Sequence, residues 1–418
     1  MVVKKKKLKL KKEAKFILIA IACLLYASVI NGFNKPKENK EVIEITPTPT
    51  PEEITSTSEE PIETETPVET STPEVTVEED KVVSLFMLGD ALIQIENTEM
   101  AHQEDGSDDW SSQLDAITNM ASKYDLAYYN QEVPLGGYEL EITVFPHLNT
   151  SKTFGTYMMD KGFNLISLAN NHCLDKDEQG VINTKEVFNA NPQVVTAGTN
   201  LSQEERDSLN LFEVNGIRFA FNSWTYDMNF YYPPEGKEYM VNQFRGHEEE
   251  MLNWVRRAKE QADFVIVAMH WGYEFSHYIN EEQEALSQAL ADAGTDLIIG
   301  NHAHSIQPIR WIDNCLCYYA LGNIISSQTV PDWITYHQLN TGMISTLNFI
   351  KDKDGNKRIE DIKVDLLYTY NYNDYSEIYS VKYDDIPEGV FPESESYKQN
   401  LIDNVVHYYD DSFKIGLE

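Results

Sequence analysis

The sequence predicts an α/β fold, and three observations carry that expectation. From residue 81 short apolar runs alternate with amphipathic segments of helical period. After residue 305 the helical segments stop and turn-separated strands take over. Five of the apolar runs end in Asp, Glu, Asn or His, at the carboxyl ends of strands where open α/β sheets build their sites.

Residues 82–90 (VVSLFMLGD) are a continuous apolar run of buried-strand length, and 111–124 repeat apolar residues at helical spacing. A strand over 126–132, a helix over 153–162, a strand over 163–171, a helix over 178–191 and a strand over 192–198 follow. Residues 211–224 read as a hairpin, because Asn215-Gly216 suits the two positive-φ positions of a tight turn. Next come a helix over 248–261, a strand over 262–272, a helix over 280–294 and a strand over 295–304. Turns at Asp313-Asn314 and Asp354-Gly355 then separate strands, so the α/β core finishes in antiparallel strands. Residues 370–418, rich in Tyr and Asp, read as peripheral.

The 418 residues carry 33 Lys+Arg against 68 Asp+Glu, a net charge of −35, unevenly spread. Residues 1–15 hold eight Lys and one Glu, and 16–34 hold no charge. This is the pattern of a basic cytoplasmic head and a transmembrane signal-anchor. A cleaved signal peptide, or a lipoprotein signal ending at Cys23, are the other readings of the same segment. All three send the remainder outside the cytoplasm, and the signal-anchor reading keeps it at the cell membrane as a single-pass protein. Residues 35–80, almost purely Thr, Pro, Glu, Ser and Val, bury too little apolar surface to order and read as a disordered linker. Residues 81–418 keep 22 basic and 53 acidic residues, a net of −31, which excludes nonspecific nucleic-acid binding. Cys173, Cys315 and Cys317 form neither a disulfide framework nor a CxxC zinc pair.

The strand ends carry the chemistry: Gly89-Asp90, Asn130-Gln131-Glu132, Asn170-Asn171-His172, His270-Trp271-Gly272 and Asn301-His302-Ala303-His304. Singly, Asp90 reads equally as a cap, Glu132 as a solvated turn acid and His270 as a core histidine. Jointly they offer two carboxylates, an amide oxygen and up to four imidazoles, a mixture suited to Mn, Fe or Zn, in one or two ions, rather than Ca or Mg. Two such ions about 3.5–4 Å apart clamp a phosphoryl group. No G-x-S-x-G, Walker A or dinucleotide fingerprint is present.

LGD (88–90), NQEVPL (130–135), SLANNHCLD (167–175), HWGYEF (270–275), IIGNHAHSIQP (299–308) and YALGNII (319–325) resemble the capsule-synthesis CapA (PgsA-type) proteins, which are tied to poly-γ-glutamate. Their fold is similar to calcineurin-like metallophosphoesterases. The resemblance implies a metallophosphatase-like layered sandwich, helices outside and sheets within, over 81–350, followed by C-terminal strands and an acidic tail over 351–418. It implies Asp90 on a first metal and Glu132 bridging. Asn171, His270 and His302 would hold a second metal, with His304 returning to the first. His172 would be the proton donor, with Asp175 and Glu274 supporting or facing the substrate. The phosphoesterase pattern begins Asp-x-His, whereas this chain has Leu92 at the third position, and Glu132 stands where that pattern usually has Asp.

The expectation is thus an anchored, extracytoplasmic CapA-like protein of poly-γ-glutamate capsule biosynthesis or export with a metal-dependent phosphoesterase-like site. An envelope phosphoesterase acting on a lipid-linked or wall phosphate, and a non-catalytic polymer-handling protein, are the alternatives. The expected partners are an anionic polymer or phosphate-containing envelope substrate, membrane subunits of a capsule synthase and the membrane itself.

Overall fold

The computed structural model describes residues 79–328, 335–372 and 375–417. The expected head, span and linker lie outside the described residues except for positions 79 and 80, and among the described residues no helix is long and apolar enough to cross a membrane.

Strands β1 (Lys81–Leu92), β2 (Leu126–Gln131), β3 (Leu165–Ser167) and β4 (Val195–Ala197) pair in parallel in that order. β5 (Leu211–Val214) and β6 (Ile217–Thr225) make the expected hairpin, with Asn215 at φ 49° and Gly216 at φ 75°. β7 (Phe264–His270) and β8 (Leu297–Asn301) extend β6 in parallel. β9 (Ile309–Ile312) and β10 (Cys315–Tyr318) close that sheet, with β10 beside β8. β11 (Asn323–Ser326) returns to β1, followed by antiparallel β12 (Thr341–Lys351), β13 (Lys357–Tyr372) and β14 (Glu377–Lys382), with β15 (Lys414–Ile415) on β13. The result is a nine-stranded sheet, β14-β13-β12-β1-β2-β3-β4 with β11 and β15 attached, and a six-stranded sheet, β5-β6-β7-β8-β10-β9.

The alternation of side chains along each strand makes these sheets a sandwich. Val83, Leu85 and Met87 of β1 meet Phe221, Ile266, Ala268, Leu297 and Ile299 of the other sheet in one core. Phe86 and Leu88, one residue out of phase, face away and are covered by Leu114, Ile117, Phe154, Met158 and Phe188. Those residues come from helices Ser111–Thr118, Lys152–Asp160 and Asp177–Asn189. The outer face of the second sheet, with Val265, Val267 and Ile298, is covered by Met251, Trp254 and Val255 of helix Glu248–Lys259 and Leu290 of helix Glu281–Ala293. Layers therefore run helices, sheet, sheet, helices. β7 is buried at every position because both its faces are covered, which is why it reads as an unbroken apolar run.

Three expectations change. Helices do not stop at 305: Tyr336–Leu339 and Ser394–Leu401 follow. Two short helices, Ile95–Ala101 and Gln203–Asp207, lack a readable period. Residues past 370 are not peripheral, since β14 extends the sheet and Tyr383, Phe391, Leu401, Val405 and Phe413 enter the core between the sheets. Their irregular spacing over short elements hides the burial, and buried Asp365 secures the segment through Lys382 at 3.4 Å and Lys398 at 3.6 Å. Cys173, Cys315 and Cys317 are buried and free.

Two glycines let the backbones that carry the strand-end residues approach closely. A Cβ on Gly89 would lie 1.9 Å from the Gly322 carbonyl oxygen, and one on Gly300 would lie 1.9 Å from that of Tyr319. Neither neighbour is a side chain that can swing away. Gly89→Ala and Gly300→Ala should therefore each lower unfolding free energy by about 2–3 kcal/mol or more, measured by denaturant titration. An unchanged midpoint in either variant would show that the close approach is not a constraint.

Candidate metal centre

The carboxyl ends of β1, β2, β3, β7 and β8 meet at one edge of the sandwich, and backbone bonding fixes each ending. The Asp90 N–H donates to Gly322 O at 2.8 Å. Asp90 Oδ1 accepts from Asn130 Nδ2 at 2.8 Å, and its Oδ2 accepts from the His302 N–H at 2.9 Å, joining the two sheets. Asn170 turns the chain after β3: its Nδ2 donates to Gln131 O at 2.8 Å and its Oδ1 accepts from the His172 N–H at 2.9 Å. His302 and His304 both take positive φ, 89° and 50°, a conformation side-chain-bearing residues rarely adopt outside constrained sites.

Within this frame Glu132 Oε1 lies 3.6 Å from His304 Nε2 and 3.8 Å from His270 Nε2. His304 Nδ1 lies 3.8 Å from Asp90 Oδ2 and donates to Asn323 Oδ1 at 2.9 Å, which leaves its Nε2 as the lone-pair nitrogen. His270 Nε2 is 2.8 Å from Asn171 Oδ1, and the His270 and His302 rings are 4.7 Å apart. Asp90, Glu132 and His304 present ligand atoms all within 4.8 Å of one another, and so do Glu274, His302 and His304. Glu274 counts among the exposed residues, yet its carboxylate reaches that far toward two buried histidines.

Both carboxylate oxygens of Glu132, and Nδ1 of His270 and of His302, are buried without a hydrogen-bond partner. Burial pushes the Asp90 carboxyl up to about 7, against the lowering effect of the His302 N–H and Asn130. Burial, then the charges of Asp90, Glu274 and Asp175, hold Glu132 well above the usual carboxylate range. Burial lowers His270 and His302 well below the usual imidazole value and His304 to about 4. The imidazoles are therefore neutral, the form that ligates, while the carboxylates sit where a positive charge would relieve them. These donors fit a divalent transition cation: bare buried carboxylate oxygens, an amide oxygen and neutral imidazoles converge, and neither side-chain oxygen of Glu132 has a hydrogen-bond partner among the described residues.

Beside the cluster, His172 Nδ1 and Asp175 Oδ2 are 2.7 Å apart, and the same oxygen accepts from the Leu148 N–H at 2.7 Å. The structure thus brings together Asp90, Glu132, Asn171, His270, His302 and His304, pairs His172 with Asp175, and sets Glu274 at ligand distance instead of only facing outward. Leu92 is packed in the core behind the helices. Sequence reasoning placed Asn130 at a strand end without giving it a role and missed Asn323; the two orient Asp90 and His304 respectively. The YALGNII segment that contains Asn323 was the available signal, because it too is an apolar run closing on a polar residue.

The metal-free protein has a definite pH signature. Near pH 6.5, the ordinary imidazole value, the three histidines are neutral in the fold but partly protonated in the unfolded chain, an opposing slope that fades within about one pH unit above it. Asp90 and Glu132, raised in the fold, still hold protons there that the unfolded chain has released, so stability is lost as pH rises through their folded values. The melting temperature of the chelated protein should fall between about pH 7 and 8, where the histidine slope has faded, and saturating Mn²⁺ should remove the fall. A melting temperature that climbs over that window without metal would contradict the assignment.

The bacterial capsule synthesis protein family PGA_cap matches residues 84–328. PGA biosynthesis protein CapA of Bacillus subtilis (strain 168) is 31% identical over 188 residues, 44% of this chain and 47% of that protein. Capsule biosynthesis protein CapA of Bacillus anthracis is 30% identical over 189 residues, 44% of each. The chain therefore spans about half the length of these relatives. Among solved structures, Haemophilus influenzae NAD nucleotidase (NadN) overlaps with a TM-score of 0.40 at 13% identity, covering 70% of this chain and 53% of that one. Purple acid phosphatase PPD1 from yellow lupin seeds overlaps at 0.25 and 10%, covering 73% and 54%. Overlaps this loose transfer nothing to the site. The family match takes in well over half of the chain and every strand end of the cluster, so this chain belongs to the PGA_cap family of bacterial capsule synthesis proteins.

Proposed function

We propose that the chain is a membrane-anchored, extracytoplasmic protein of poly-γ-glutamate capsule biosynthesis or export, whose strand-end cluster holds one or two Mn, Fe or Zn ions and works as a phosphoesterase-like hydrolytic site. The observation that carries the metal reading is Glu132, fully buried with neither oxygen hydrogen-bonded and two histidine nitrogens within 3.8 Å. An uncompensated buried carboxylate costs several kcal/mol, a cost a cation offsets. Asp90, Glu132 and His304 would hold one ion, and Glu132, Asn171, His270 and His302 the other, with Glu274 at hand for either His302 or His304. When bound, such ions supply Lewis acidity and positive charge at a phosphoryl oxygen.

The remaining chemistry belongs to side chains of this chain. Asp175 accepts the Nδ1–H of His172, so Nε2 is the ring nitrogen left to exchange a proton with a leaving oxygen. The Leu148 N–H holds Asp175 in that position. Export and anchoring are supported by the Lys-rich head before an uncharged segment. With a net charge of −31 over 81–418, an anionic polymer would be repelled over most of the surface and held only where bound cations reverse the sign. The second reading, an envelope phosphoesterase acting on a lipid-linked or wall phosphate, is favoured by the His172–Asp175 pair, which metal binding alone does not need.

Elemental analysis of the purified full chain should find at least one Mn, Fe or Zn per chain, lost in Glu132→Gln and in His302→Ala. With Mn²⁺ added, turnover of a chromogenic phosphoester should fall about 100-fold in His172→Ala while metal content stays unchanged. A chain that holds no transition metal, and whose His302→Ala variant matches wild type in capsule output, would sink this reading. Metal retention without turnover would leave a polymer-handling role and remove the hydrolytic one.

A further inference from the structure

Among the described residues, the large hydrophobic side chains more than 60% exposed are all aromatic: Phe145, Phe230, Tyr232, Tyr273 and Tyr278, at 63–77%. All five lie on three loops: 132–151 and 271–280 follow the β2 and β7 ends of the metal cluster, and 226–247 follows β6, whose Thr225 pairs with His270. Each loop is tied to the site. The Phe145 ring stands edge-on to His172 at 6.4 Å, and Asn229, next to Phe230, accepts from Asn171 Nδ2 at 3.4 Å. Tyr273 adjoins Glu274, and the Tyr278 carbonyl accepts from Gln307 Nε2 at 3.1 Å, three residues beyond His304. The first two loops are joined across the mouth by Tyr231 and His147, whose OH and Nδ1 are 2.8 Å apart. Exposed aromatic area carried on loops that border a single site marks a contact surface.

The chemistry of the loops selects the occupant. They carry two Lys/Arg residues, Lys237 and Arg245, and each is engaged by a carboxylate, Glu178 and Glu282 respectively. Against these stand Glu132, Glu139, Glu141, Asp227, Glu235, Glu238 and Glu274 on the same loops. A polyanion or an anionic membrane surface meets repulsion here, not complementarity. An acyl or polyprenyl chain would want contiguous aliphatic surface, but among the described residues the exposed large aliphatic side chains are Val82, Val144, Leu201, Leu211 and Ile415, and of these only Val144 is on the loops. Flat rings separated by polar residues match the alternating C–H faces and hydroxyl edges of pyranose sugars, which stack on aromatic faces and hydrogen-bond at their rims. We infer that the mouth is a stacking platform for a neutral polysaccharide chain. That such a glycan carries the phosphoester offered to the cluster rests on the hydrolytic reading above; the platform itself does not.

The test is calorimetric titration of the purified full chain, in a detergent without sugar headgroups, with chitotetraose and with cellotetraose. At least one tetramer should bind, and Tyr273→Ala with Tyr278→Ala should weaken it about tenfold, while Tyr273→Phe with Tyr278→Phe retains it. Metal content and melting temperature, read on the same samples, should be unchanged by either pair, which separates failure of the platform from failure of the metal site. Binding of neither tetramer overturns the inference. So does tetramer binding indifferent to the Ala pair, or a surface that the Ala pair strips of affinity for phosphatidylglycerol vesicles or poly-γ-glutamate instead.

Discussion

Two carboxylates, Asp90 and Glu132, are fully buried within reach of the same histidine, and the architecture around them follows from that concentration of charge. In water such a pair is unremarkable. In a protein interior each ion loses its hydration, and their mutual repulsion is screened little. Asp90 is partly compensated by the Asn130 amide and the His302 N–H. Glu132 is not compensated at all. The three histidines around it are neutral because burial depresses them, so they do not repair the deficit; they add lone pairs. Such an arrangement is unfavourable for an isolated protein and favourable for one that binds cations.

Holding those groups together demands backbone geometry that the sheets supply. β1 lies between β2 and β12 and also takes β11, so the chain at Gly89-Asp90 is bonded on several sides, and only a residue without a Cβ lets Gly322 O approach. The positive φ of His302 and His304 is retained because Asp90 and Asn323 engage them from the opposite sheet. Strain at the site is thus held in place by a strand bonded to three others.

Much of this was legible in the sequence because buried parallel strands are apolar runs and their endings are abrupt. β7 and β8 stop at His270 and Asn301 with no gradation, so both the elements and the site residues stand out. Strand–helix alternation predicted an α/β core, while the order of layers was implied by the family resemblance. What escaped notice had no period to read. Phe391 stacks on His337 at 3.6 Å, and Tyr383 bonds Thr341 at 2.6 Å, contacts made by isolated aromatics in short segments that composition alone places at the surface. Asn323 escaped for a related reason: an amide that orients a histidine looks like any strand-end amide until the partner is seen. The position of Glu274 depends on how a loop folds back, which spacing does not encode.

The site also straddles the interface on which the fold rests. Asp90, Glu132 and Asn171 follow strands of the nine-stranded sheet, whereas His270, His302 and His304 follow strands of the six-stranded one. A cation shared between the two sets is therefore a cross-link between sheets, made at the edge of the core that contains Leu85, Phe221, Ile266 and Ile299. By mass action, a ligand bound only to the folded state stabilises it by an amount that grows with ligand concentration over its dissociation constant, about 2.7 kcal/mol at a hundredfold excess. Here that gain and the relief of Glu132 are the same free energy seen from two sides. Loosening the sandwich would weaken the cation, and losing the cation would leave the buried carboxyls either to take up protons or to repel each other. With a cation bound in this way, metal occupancy would be part of folding, whether or not the cation also performed chemistry.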